Sequence, residues 1–304
     1  MSDLITIPAF AKFNWTLRVL GRRPDGYHEI ATALQTISLH DRLSFSHSPD
    51  GEISFRCDDP SLPSDRSNLV SRAAHALKTQ FAVAAGARIN LEKRIPIGSG
   101  LGGGSSDAAI TLLGLMRLWN LESKRDEIIA LAAGIGADVP FFLHGGTALG
   151  TGTGTTIEML PDAPEQSLLV LMPNVSVSTK AAYDSLNAPA LTTVNGDTIL
   201  SSSREVSDFD LSNPDRLQND FQAVVMRSHE EIERARIALL NAGARTVMLA
   251  GSGGSIFGVF ENSEAQKRAL QAVKLEAGWR LFPCKTIGRE EYAREVGQTF
   301  LSVP

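Results

Sequence analysis

The chain has 304 residues, 29 basic against 34 acidic side chains, and a net charge of −5. At about 100–200 residues per domain that length suggests two domains, long enough to bury ordinary globular cores. The mildly acidic balance argues against a dedicated nucleic-acid binder, and two cysteines, Cys57 and Cys284, cannot build a disulfide framework and suit a reducing compartment.

Met1–Pro8 lacks the basic stretch and apolar run of a secretory leader. No apolar run approaches the ~20 residues that a membrane helix needs. The expectation is a cytoplasmic protein with no membrane or nucleic-acid partner. In Ala11–Leu17, Lys12, Asn14 and Thr16 alternate with Phe13, Trp15 and Leu17, so one strand face is packed and the other polar. Leu43–Ser48 and Glu52–Cys57 flank Pro49-Asp50-Gly51 and read as a hairpin. Helical spacing runs over Asn68–Ala84, alternation over Ala87–Ile95, and helix again over Ser105–Trp119 and Asp126–Ala133.

Leu160–Glu165, with two prolines, marks a boundary between domains 1–160 and 161–304. Beyond it come a strand at Leu168–Met172, a Ser/Thr-rich loop over Thr192–Asp210 and a helix over Glu230–Asn241. Strands Thr246–Ala250 and Ile256–Phe260 surround Gly251-Ser-Gly-Gly254. A helix over Ser263–Ala277, capped by Ser263, and a strand over Arg280–Ile287 follow. The fold class is α+β, with antiparallel pairing in the second half.

The strongest chemical signal is Pro96-Ile-Gly98-Ser-Gly100-Leu101-Gly102-Gly103-Gly104-Ser105-Ser106-Asp107, between a strand and a helix. So many small residues are entropically costly unless something must approach the backbone closely. The following helix aims unpaired N–H groups and its positive end at the loop, which suits a phosphate chain. Gly98-x-Gly100-x-x-Gly103 formally matches the dinucleotide fingerprint, but no second strand ending in an acidic residue follows the helix. The Lys-Ser/Thr pair of a P-loop is absent as well. His40, His47, His75, His144 and His229 have no ligand spacing, so no protein metal site is expected.

The loop resembles that of the GHMP kinases, Pro-x-x-x-Gly-Leu-Gly-Ser-Ser-x-Ala, with two glycines added. The glycine-extended form is similar to the branch acting on a cytidine diphosphate-linked polyol in isoprenoid precursor synthesis. Pro8-Ala-Phe-Ala-Lys12-Phe-Asn14, Arg23-Pro-Asp-Gly-Tyr27-His28, Gly136-Ala-Asp138-Val-Pro-Phe-Phe142 and Ala250-Gly-Ser-Gly-Gly-Ser255 extend the resemblance along most of the chain. It implies an S5-domain-2-like N-terminal domain, a ferredoxin-like C-terminal domain, ATP as phosphoryl donor and Mg2+ carried mainly by the nucleotide. ATP contacts are then implied for Pro96, Gly98, Gly100, Leu101, Gly102, Gly103, Gly104, Ser105 and Ser106.

Read without the resemblance, Lys12 is a lysine on a polar strand face and Asp138 a turn or cap residue. The resemblance implies that Lys12 stabilises charge at the reacting oxygen and that Asp138 is the general base. It also implies substrate contacts for Asn14, for Tyr27 and His28 at the cytosine, for Tyr183 on its other face, and for Gly251, Ser252 and Gly253 at the diphosphate. Asp107 stands where Asn is often found and reads as a first-turn helix residue. Another GHMP kinase, such as a homoserine kinase, and a non-catalytic ligand-binding regulator of the same fold are the alternatives.

Overall fold

The computed structural model describes residues 4–189 and 217–297. The loop expected over Thr192–Asp210 lies outside the described residues. Two long strands, β1 (Ile5–Arg22) and β2 (His28–Ser48), form the spine of a six-stranded sheet. They pair antiparallel almost end to end, from Ile5↔Phe45 to Arg22↔His28. The register shifts between Phe10 and Ala11, and such a bulge changes which face a side chain takes. Ile7 and Ala9 therefore join the core beneath the helices, whereas Ala11, Phe13 and Trp15 join a core shared with the second sheet.

The other edge of β2 carries two partners. Its second half pairs with β4 (Gly86–Glu92) and its first half with β5 (Thr147–Gly152), which pairs with β6 (Thr156–Met159). The stretch expected as a hairpin is not one. Strand β3 (Ile53–Cys57) pairs in parallel with β4, which lies between β2 and β3. The turn at Pro49–Gly51 reverses the chain, but helix α1 (Leu69–Gln80) brings in the strand that takes the hydrogen bonds. Helices α2 (Gly103–Leu118) and α3 (Arg125–Ile135) complete this layer. Val70, Ala74, Leu112, Met116 and Ile128 pack there with Phe45 and Ile89.

The second sheet has the order β10-β7-β9-β8, antiparallel throughout. Its strands are β7 (Ser167–Met172), β8 (Thr246–Leu249), β9 (Ile256–Phe260) and β10 (Arg280–Lys285). With helices between β7 and β8 and between β9 and β10, this is the ferredoxin-like βαββαβ arrangement. Those helices are α4 (Thr179–Ser185), α5 (Phe221–Ser228), α6 (Glu230–Asn241) and, after the β8–β9 hairpin, α7 (Ser263–Ala272). Along β7, Leu168 and Val170 face the first sheet while Leu169 and Leu171 face the helices. Phe13 meets Phe257 at 4.0 Å between ring centroids, fastening the sheets together. Burying one such side chain contributes about 1.5–3 kcal/mol.

The cap of α7 is Asn262 rather than Ser263. Its backbone is extended and its Oδ1 accepts from the Ala265 N–H at 2.9 Å. The helix also ends at Ala272, short of the expected Ala277. A last helix, α8 (Arg289–Val296), crosses back to the first layer and buries Tyr292 and Val296 there.

Candidate active site

Helix α2 opens on the glycine loop. Gly102 caps it in the left-handed region, at φ 72°. A Cβ there would lie 2.8 Å from the Phe142 ring and 3.1 Å from Lys12 Cε, so only glycine fits between the loop, the core and the lysine. The N–H groups of α2 ahead of Ser106, whose N–H bonds the Gly102 carbonyl, have no intrahelical acceptor. Gly103 is not in the left-handed region. It is the first helical residue, and its side-chain space is taken by Ile95 Cγ2 and Lys93 Nζ, each 2.9 Å from a Cβ.

The loop is the wall between two cavities. The larger, about 700 Å3, is bordered by Lys12, Asn14, Tyr27, His28, Asp138, Tyr183, Gly251 and Ser252. The smaller, about 390 Å3, is bordered by Pro96, Gly98, Gly103, Gly104 and the segment from Leu62 to Leu69. Gly100, Gly102 and Ser105 border both. Of the residues singled out from the sequence, Leu101, Ser106 and Gly253 border neither. Leu101 is buried and its carbonyl accepts from the Lys12 N–H at 2.9 Å, which ties strand β1 to the loop.

At the seam, Lys12 Nζ lies 3.4 Å from Asp138 Oδ2 and donates to Asn14 Oδ1 at 3.1 Å. Asn14 Nδ2 donates to Thr32 Oγ1 at 2.6 Å, and Thr32 Oγ1 donates to the Thr16 carbonyl at 2.7 Å. The face read as polar is also buried, with Lys12 only 5% exposed. Its polar groups are satisfied in a chain that holds the ammonium in one place. Asp138, after α3, keeps 37% of its side chain exposed to the larger cavity.

The aromatic groups stand at the far end. His28 stacks on Tyr183 at 4.6 Å and 27°, and Tyr183 meets Phe221 edge-on at 4.7 Å. Tyr27 is 67% exposed. Tyr27 and Tyr183 therefore do not present two free faces to one slot, because His28 covers a face of Tyr183. Burial, with the charge of Asp138 adding, pushes the Tyr183 hydroxyl up to about 12, so it is a neutral donor. Burial and neighbouring Arg22 lower His28, which favours the neutral ring.

Asp107 lies just past the first turn of α2 rather than in it, and it is buried. Lys93 Nζ bonds it at 2.8 Å and also bonds Asp41, whose Oδ1 accepts from the Arg94 and Ile95 N–H groups. Desolvation raises the Asp107 carboxyl to about 8, against the pull of Lys93. Both Asp107 and Lys93 border the smaller cavity. The sequence reading missed this pair, and the Leu62–Leu69 wall carried neither glycines nor a charge pattern to reveal it.

The chain matches the family description "GHMP kinases N terminal domain" over residues 68–146 and "GHMP kinases C terminal" over residues 205–277. It is 41% identical to a protein of Salinibacter ruber named 4-diphosphocytidyl-2-C-methyl-D-erythritol kinase, over 87% of this chain and 93% of that one. A protein of the same name from Lachnoclostridium phytofermentans is 37% identical over 90% of this chain and 94% of that one. A crystal structure of 4-(cytidine 5'-diphospho)-2C-methyl-D-erythritol kinase superposes with a TM-score of 0.75 at 33% identity, covering 93% of this chain and all of that one. A homoserine kinase from Cytophaga hutchinsonii, at 21% identity and a TM-score of 0.70 over 96% of this chain and 97% of that one, shares the fold.

Proposed function

The chain belongs to the 4-diphosphocytidyl-2-C-methyl-D-erythritol kinase family of the GHMP kinases, and from that membership we propose how its two cavities divide the reaction. It is an ATP-dependent kinase that phosphorylates the 2-hydroxyl of 4-diphosphocytidyl-2-C-methyl-D-erythritol, giving the 2-phosphate and ADP, in non-mevalonate isoprenoid precursor synthesis. ATP takes the smaller cavity, with Pro96, Gly98, Gly100 and Gly102–Ser105 forming its phosphate cradle and Leu101 and Ser106 buried behind it. The acceptor takes the larger one, with its cytosine at Tyr27, His28 and Tyr183 and its diphosphate toward Gly251 and Ser252. Residues 1–160 then form a domain that holds the nucleotide and most of the acceptor cavity, and the domain of residues 161–304 completes the acceptor cavity with Tyr183, Gly251 and Ser252.

The carrying observation is the Lys12–Asp138 pair, 3.4 Å apart, beside a loop that borders both cavities. An acceptor hydroxyl placed there meets a carboxylate that takes its proton. Its oxygen attacks the γ-phosphorus while the bond to the β-phosphate bridging oxygen breaks and ADP leaves. The Lys12 ammonium and the α2 N–H groups offset the negative charge on the transferring group. Asn14, anchored on Thr32, sets the direction of the ammonium.

Magnesium would arrive with the nucleotide. Among the described residues no three His, Cys, Asp or Glu side chains are grouped to hold a metal. Ser105 borders both cavities, so its hydroxyl together with the nucleotide oxygens fits a hard cation that keeps most of its waters. Bound there, the metal supplies charge neutralisation at the phosphates.

ADP release, followed with each acceptor in turn, tests the reading. Release that requires the cytidine-linked acceptor and magnesium supports it. Equal release with homoserine, or without any acceptor, overturns it.

A further inference from the structure

The late loop between β8 and β9 does more than border the acceptor cavity. Ser255 is fully buried, and both its N–H and its Oγ donate to the Ser99 carbonyl, at 3.2 and 2.5 Å. Ser99 Oγ donates to the Pro96 carbonyl at 2.7 Å and accepts from the Leu101 N–H at 3.3 Å. Gly253 and Gly100 lie backbone against backbone. A Cβ on Gly253 would come 2.5 Å from Gly100 Cα, and one on Gly100 would come 2.8 Å from Gly253 N. Two residues before Gly253, a Cβ on Gly251 would lie 3.0 Å from the Gly100 carbonyl and 3.4 Å from Lys12 Nζ. The Gly251 carbonyl is itself held by Asn219 Nδ2 at 2.7 Å.

The glycines of the late loop are thus explained in part by the other loop rather than by a ligand. Gly253 and Ser255 border neither cavity, yet they join the acceptor-side loop to the phosphate loop with no side chain between to absorb movement. We infer that Ser255 and Gly253 are positioning residues that lock the two loops into one body, so that filling either cavity tightens binding in the other. The inference rests on the two-cavity reading above. Because the two loops shift only as one body, whichever ligand binds first fixes the position of that body, and the second then meets a wall already in place. Linkage makes the effect equal in both directions. Two anionic ligands sharing a wall repel, so electrostatics alone gives the opposite sign.

Titration calorimetry on the full chain tests this, using the β,γ-imido analogue of ATP with magnesium and 4-diphosphocytidyl-2-C-methyl-D-erythritol, each with and without the other. In the parent, each ligand should bind roughly 5–150-fold more tightly when the other is present, by the same factor both ways. Ser255→Ala, and independently Gly253→Ala, should bring that factor toward one in protein shown to be folded by circular dichroism. A parent factor of one or below overturns the inference, as does a factor unchanged in both variants. If both variants fail to fold, the parent factor alone decides. If neither ligand binds the parent, the two-cavity reading falls as well, whereas tight but independent binding sinks the coupling only.

Discussion

Replacing Gly102 with alanine places a methyl group at the point where loop, core and Lys12 meet. Two costs follow from the geometry. The residue sits at φ 72°, where a Cβ carries about 1 kcal/mol of strain. The new Cβ would lie 2.8 Å from Phe142 Cζ, 3.0 Å from Cε2 and 3.1 Å from Lys12 Cε. Phe142 is fully buried and cannot swing away, so crowding adds about 1–3 kcal/mol. The total of about 2–4 kcal/mol lowers Tm by roughly 3–6 °C in a chain of this size. The lysine can move, and moving its tip opens the 3.4 Å contact with Asp138, so kcat should fall more than acceptor affinity. Gly134→Ala is the matched control. It lies inside α3 with nothing within 4 Å of a Cβ, and should be neutral or stabilise by about 0.5–1 kcal/mol. Differential scanning calorimetry and steady-state kinetics on the two variants decide the matter. A Gly102→Ala protein as stable and as fast as Gly134→Ala would refute the packing argument and the placement of Lys12.

Gly103→Val should weaken binding of the ATP analogue about tenfold or more, because its side chain displaces Lys93 at the wall of the smaller cavity and crowds buried Ile95; unchanged affinity in equilibrium dialysis contradicts this. Tyr183→Ala should weaken acceptor binding by about 1–3 kcal/mol, the scale of one lost base stack, with ATP-analogue affinity unchanged. Calorimetric titration checks it, and unaltered acceptor affinity would remove Tyr183 from the base site. His144 is held down to about 4 by burial, with Arg125, whose Nη2 is 3.0 Å from its Nδ1, and Arg289 adding to the effect. The unfolded chain binds that proton near 6.5 and the folded chain only near 4, so stability falls as the pH drops through this window. His144→Gln should lose that component of acid sensitivity, read from urea midpoints at pH 7 and pH 5; an identical midpoint shift in parent and variant would contradict the assignment.

The glycine loop was legible because its demands are written locally. Left-handed turns and a close backbone wall call for glycine at adjacent positions, and a helix must follow. Helices α1 and α6 were legible for the same reason, since their apolar spacing and ends lie within a dozen residues. Strand pairing was not. Pro49–Gly51 marks a reversal as a hairpin would, yet β3 finds its partner beyond α1, a choice made by packing rather than by the turn. The face of β1 carrying Lys12, Asn14 and Thr16 looked solvated because those residue types usually are; only the fold brings Thr32 and Asp138 to satisfy them. Helix α8 escaped notice because five of its eight residues are charged and only Tyr292 and Val296, one turn apart, face the core. At the site, the Lys93–Asp107 contact closes across the glycine loop and the Ser99–Ser255 latch joins residues 156 positions apart, neither with a local pattern to flag it.

The central claim is that Asp138, opposite Lys12 at the seam of the two cavities, takes the acceptor's proton as the γ-phosphoryl group is transferred. The direct measurement is single-turnover transfer from γ-labelled ATP with both substrates saturating, comparing the parent with Asp138→Asn. The substitution keeps the size and hydrogen-bonding shape of the side chain and removes the carboxylate that accepts the proton. The account predicts a rate lower by about 10²–10⁴-fold with acceptor affinity largely retained, as expected of an interaction made chiefly in the transition state. Transfer within a few-fold of the parent, in folded protein, would contradict it.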